Sequence, residues 1–72
     1  MRHLANPPRY RIRVRGILGE MLLTAFPDLQ AEASDGETVL AGVLVDQAAL
    51  YGVLAKIEAL GLELLEVRRE AA

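Results

Sequence analysis

Arg9-Tyr10-Arg11-Ile12-Arg13-Val14-Arg15 alternates without a break between a cation and an apolar side chain. Successive side chains of an extended strand point to opposite faces, so Tyr10, Ile12 and Val14 face one way and the arginines the other. The stretch reads as a half-buried β-strand. Its apolar face needs a cover, and its charged face needs water, acids or a partner.

Downstream, Gly16 breaks the alternation, and Leu18, Met21, Leu22, Ala25 and Phe26 recur at helical spacing until Pro27 forbids more helix. The spacing predicts a short helix from about Gly19 to Phe26. Leu29, Ala31 and Ala33 then alternate with Gln30, Glu32 and Ser34, and Asp35-Gly36 tolerates the positive φ of a type I′ hairpin turn. A two-residue turn there sets Ser34 opposite Glu37 and Ala31 opposite Leu40. The returning strand, Glu37 to Val45, is nearly all apolar, as suits a central strand with both faces at least partly covered. Leu40, Gly42 and Leu44 share the face of Leu29 and Ala31, while Val39, Ala41, Val43 and Val45 take the other.

Asp46 is a good N-cap for a helix carrying Leu50, Val53, Leu54, Ile57 and Leu60, and Gly61 suits its C′ position. Gly52, inside that helix, is expected to permit close contact with a strand or another helix. The stretch from Leu62 to Arg69 reads as a closing strand.

The order is βαββαβ. With right-handed crossovers it gives an α+β, ferredoxin-like sandwich: a four-stranded sheet with two helices on one face. The first and third strands are then central, the fourth lies beside the first and the second beside the third. The face without helices is open.

A chain of 72 residues has room for one core. Residues 9–70 are read as that single domain, and residues 1–8, with the Pro7-Pro8 pair, as a loose extended tail. No cysteine is present, so disulfides and thiolate metal sites cannot assist the core, and association with another chain becomes an expectation. Net charge is −2, yet Arg2, Arg9, Arg11, Arg13 and Arg15 all precede the first acid. No apolar run approaches the roughly 18 residues that span a bilayer. The first residues lack the apolar stretch of a secretory signal, so a cytoplasmic protein is expected.

The run from Asp46 to Leu54, continuing through Ile57-Glu58-Ala59-Leu60-Gly61-Leu62-Glu63-Leu64-Leu65-Glu66-Val67-Arg68-Arg69, resembles the C-terminal half of short uncharacterised bacterial proteins of the actinobacterial type. Tyr10 to Gly16 and Asp35-Gly36-Glu37-Thr38 are similar to the same group, and the resemblance carries no activity. More loosely, the helix, Gly61 and strand at 50–67 resemble ACT-type regulatory domains. That likeness implies an amino-acid-like ligand at a dimer interface. Where those domains have an Asp-x-x-Pro-Gly type of turn, this chain has Gly16-Ile17-Leu18-Gly19-Glu20.

The arginine row is the most distinctive feature, because neighbouring guanidinium groups repel unless something neutralises them. One outcome is internal: Glu66 and Glu32 pair with Arg11 or Arg13 while arginine stems cover the valines. Another is nucleic acid, but sheet-face RNA binders add aromatic platforms, and here the neighbouring positions are Val39, Ala41 and Val43 on an acidic protein. The leading expectation is a small, non-enzymatic interaction or regulatory module. It would self-associate as a homodimer, or dock to a larger protein, through Arg11, Arg13, Val39, Ala41, Val43, Val45, Leu64 and Glu66.

The alternative is a sensor holding a small anionic ligand near Gly16, Gly19, Glu20 and Tyr51, where unpaired N–H groups open the first helix. The two glycines also suit a tight turn, and no phosphate-binding lysine accompanies them. Catalysis finds no partnered groups: His3 lies in the tail, Ser34 at the hairpin, and Glu63 and Glu66 fall on opposite faces of a strand. No cofactor is expected, and no metal, for want of spaced ligands.

Overall fold

The computed structural model describes residues 8–70. The expected tail lies outside them except for Pro8, whose carbonyl accepts a hydrogen bond from the Leu44 N–H at 3.2 Å. The elements are β1 (Arg9–Arg15), α1 (Glu20–Leu23), β2 (Gln30–Ser34), β3 (Glu37–Val43), α2 (Gln47–Ala59) and β4 (Leu64–Glu70). They form an α+β fold with a four-stranded sheet in the order β2-β3-β1-β4, every neighbouring pair antiparallel.

Strand β1 takes its place because its two faces are so different. Tyr10, Ile12 and Val14 are buried while Arg9, Arg11 and Arg15 are exposed. Ile12 pairs with Leu40 on one side and Val67 on the other, so the apolar row continues across the sheet. Ile12, Val14, Leu18, Phe26, Leu40 and Ile57 make the buried cluster, and Leu22, Leu23, Leu50, Val53 and Leu54 from the two helices pack against it. Each large side chain fully buried in this cluster contributes about 1.5–3 kcal/mol.

The β2–β3 hairpin has the expected register, with Ser34 opposite Glu37 and Ala31 opposite Leu40. Asp35 and Gly36 both take positive φ, 53° and 76°, as a type I′ turn requires. Helix α2 begins at Asp46, whose Oδ1 accepts from the Ala49 N–H at 2.8 Å. It ends in a Schellman motif: Gly61, with φ 74°, donates to Glu58 O, and Leu62 donates to Ile57 O.

Three expectations about the helices need correction. Helix α1 has four residues, not the eight from Gly19 to Phe26. Past Leu23 the N–H groups of Ala25 and Phe26 reach back three residues, to Leu22 O and Leu23 O, so the backbone tightens into turns before Pro27. Met21, placed inward by helical spacing, is 87% exposed, because so short a helix presents only Leu22 and Leu23 to the core. Gly52 marks no close approach to another element: a Cβ built there has no atom of one within 4 Å. The close approach occurs at Gly42, where a Cβ would sit 2.7 Å from the Asp28 carbonyl oxygen.

Candidate functional site

The helix-free face of the sheet is laced with ion pairs. Arg13 sits at its centre, between Val39 of β3 and Glu66 of β4. Its Nη1 lies 3.4 Å from Glu66 Oε1, and its Nε lies 3.2 Å from Glu37 Oε1, an ionic contact in which the buried Nε makes no hydrogen bond. Glu66 is shared, since Arg68 Nη2 lies 3.2 Å from its other oxygen. Glu70 is shared in the same way by Arg9 and Arg11, at 3.8 and 3.9 Å. Arg15 donates to Glu63 at 2.9 Å.

These pairs are half-exposed, so each contributes at most about 0.2–1 kcal/mol. Their larger effect is on the sign of the surface. Arginines from β1 and β4 alternate with acids from β3 and β4, and no field of one charge remains. Glu32, expected to join these pairs, makes no ion pair among the described residues. It stands opposite Val39 and lines a trough of about 490 Å³ with Arg11, Arg13, Glu37, Glu66 and Arg68.

Arg11 and Arg68 are a frustrated pair, directly opposite each other across β1 and β4. Like charges in that position destabilise a sheet. Among the described residues Arg11 has only the distant Glu70, and Arg68 turns along its own strand to Glu66.

Among the residues expected at the interface, Arg11, Arg13, Val39, Ala41, Val43 and Glu66 do share this face. Val39 and Ala41 are half-buried between flanking long side chains: Arg13 and Glu32 beside the first, Arg11 and Gln30 beside the second. Val43, at the end of β3, is 42% exposed. Val45 departs from the row, because β3 stops at Val43 and the chain then turns toward Asp46. Leu64 departs too. A register shift between Arg13 and Val14 sets Leu64 opposite Val14, out of step with Glu66.

The candidate ligand residues are spread apart in role. Gly16, with φ 98°, donates its N–H to Gly36 O, and its own carbonyl accepts from the Thr38 hydroxyl at 2.7 Å. Gly19 is the N-cap of α1 and Glu20 its first residue, while Tyr51 stands 60% exposed on α2. Thr38 is the residue that sequence reasoning missed. It is 2% exposed, and its hydroxyl accepts from the Leu18 N–H at 3.2 Å while donating to Gly16 O, fixing the turn between β1 and α1. A β-branched hydroxyl in an otherwise apolar strand was the available signal. A further cleft of about 210 Å³ lies on the helix side, lined by Phe26, Leu29, Leu44, Gly52, Val53 and Lys56. Lys56 Nζ donates to Ala25 O at 2.8 Å across it.

No group of three metal-ligating side chains occurs among the described residues, and no described helix is long and apolar enough to cross a membrane.

The fold and this face define a small α+β domain with one covered sheet face and one charge-laced sheet face. Residues 9–68 match the family described as a domain of unknown function (DUF8691), and the chain belongs to that family. No curated protein and no solved structure matches it.

Proposed function

We propose that this domain is a non-enzymatic interaction module with a ferredoxin-like fold, and that it self-associates through the open sheet face around Arg11, Arg13, Val43 and Glu66. The order β2-β3-β1-β4 supports the fold assignment. The observation that carries the function is the alternation of sign on the open face, with the apolar positions Val39, Ala41 and Val43 running beside it. A surface with both signs interspersed is complementary to a second copy of itself turned about a two-fold axis, as an isologous contact requires. It offers little to a polyanion, whose binding rests on uncompensated cations.

Light scattering at micromolar concentration tests the reading. The expected mass is at least twice the 7.8 kDa of one chain. Val43→Lys, at an exposed site, should halve that mass while the far-ultraviolet circular dichroism stays unchanged. A parent mass of 7.8 kDa ends the self-association reading. A Val43→Lys protein of undiminished mass removes the open face as the contact.

A further inference from the structure

Both outer strands of the sheet have one side free of partners among the described residues, and the two differ in what they could pair with. An unpaired edge offers its N–H and C=O groups to another chain, and proteins blunt such edges or use them. For two copies to continue one sheet about a two-fold axis, the strands must run antiparallel with their faces matched. Each strand then meets itself in a register fixed by one central residue. On β2 the register using the whole strand centres on Glu32, which sets carboxylate against carboxylate.

On β4 the whole-strand register centres on Val67. Glu66 of one copy then stands opposite Arg68 of the other, twice over, on the open face. Leu65 stands opposite Arg69, and Val67, 38% exposed and paired on its inner side with Ile12, meets its own copy. Three independent features are answered at once. The frustrated Arg68, held beside Arg11, gains a carboxylate on its free side. The row Leu40-Ile12-Val67 continues into the second copy. The free edge of β4 gains a ladder.

We propose that two copies of this chain join edge to edge at β4, antiparallel about Val67, so that their sheets continue as one. The contact lies along the sheet edge and not across the open face, with Glu66 bordering both, and it can fail separately from the open-face reading. If both operate, the parent is a tetramer of two such continuous sheets, open face to open face. Val67→Lys then leaves the open-face dimer, and Val43→Lys leaves the β4 dimer.

The absence of cysteine makes a sharp test available. In a Val67→Cys protein the proposed register brings the new thiol opposite its own copy. The Cα separation of directly opposed antiparallel residues, about 4.5–5.5 Å, lies inside the range a disulfide spans. Mild oxidation should convert Val67→Cys to a covalent dimer on non-reducing gels, and an Ala33→Cys control on the exposed β2 edge should remain single. Val67→Lys should halve the mass of the parent in solution. Two outcomes overturn the β4 contact: no faster cross-linking of Val67→Cys than of Ala33→Cys, or an undiminished mass for Val67→Lys. Cross-linking of Val43→Cys in place of Val67→Cys overturns the edge contact and leaves the open-face reading standing. A parent of 7.8 kDa overturns both.

Discussion

The same substitution at two glycines should move stability in opposite directions. At Gly42 an added methyl would lie 2.7 Å from Asp28 O and 3.0 Å from a methyl carbon of Leu29. An ordinary carbon–oxygen contact is several tenths of an ångström longer, so the loop must retreat. It is poorly placed to do so, because the Leu29 N–H is bonded to Phe26 O and the Leu29 side chain packs on the core cluster. Overpacking of this kind costs about 1–3 kcal/mol.

At Gly52 an added methyl meets no atom within 4 Å, and the residue sits in the interior of α2. Alanine there should stabilise by about 1 kcal/mol through helix propensity alone. For a domain of this size each kcal/mol moves Tm by about 4–8 °C. Thermal melts at one fixed protein concentration, which keeps association from contributing to the comparison, should therefore show Gly42→Ala melting well below the parent and Gly52→Ala several degrees above. A Gly42→Ala protein that melts with the parent would refute the close approach of the Asp28 loop. A Gly52→Ala protein that melts lower would refute the open space beside α2.

Thr38→Val keeps the shape but strands the Leu18 N–H and the Gly16 carbonyl, so denaturant titration should show a loss of about 1–3 kcal/mol. An unchanged midpoint would mean that the hydroxyl does not organise the β1–α1 turn. Asp46→Ala removes the N-cap of α2 and should cost about 1 kcal/mol in the same titration, with Asp46→Asn recovering most of it. Equal losses for both replacements would point away from capping as the role of Asp46.

Sequence made the sheet legible wherever a strand had two unlike faces or a turn demanded special dihedrals. The alternation at Arg9 to Arg15 identified β1 and its buried residues, and Asp35-Gly36 fixed the hairpin register residue by residue. Asp46 and Gly61 bounded α2 because capping is local chemistry. The misjudged features depended on distant neighbours. The length of α1 is set by how the chain must turn to reach β2, and the propensities of Thr24 and Ala25 carry no record of that. The close contact at Gly42 comes from a loop thirteen and fourteen residues earlier in sequence, so Gly52 looked the more constrained of the two. On the open face, Glu66 was legible as a partner for Arg13 because it falls in register with it. The roles of Glu37 and Glu70 were not foreseen: Glu37 stands opposite Arg15 and reaches along the sheet to Arg13, and Glu70, opposite Arg9, lies one residue past the expected end of the closing strand.

The position of β1 between β3 and β4 also sets the order of events as the chain is made. The β2–β3 hairpin closes over a two-residue turn and can form on its own timescale, but each side of β1 pairs with residues remote in sequence. Ile12 waits for Leu40 on one flank and for Val67 on the other. At the about 5–20 residues per second of translation, the cation-studded strand spends seconds with one edge unpaired before β4 exists. Arginines interleaved with Tyr10, Ile12 and Val14 are the type of charged residue that discourages wrong strand pairing, and such an interval is when that property counts.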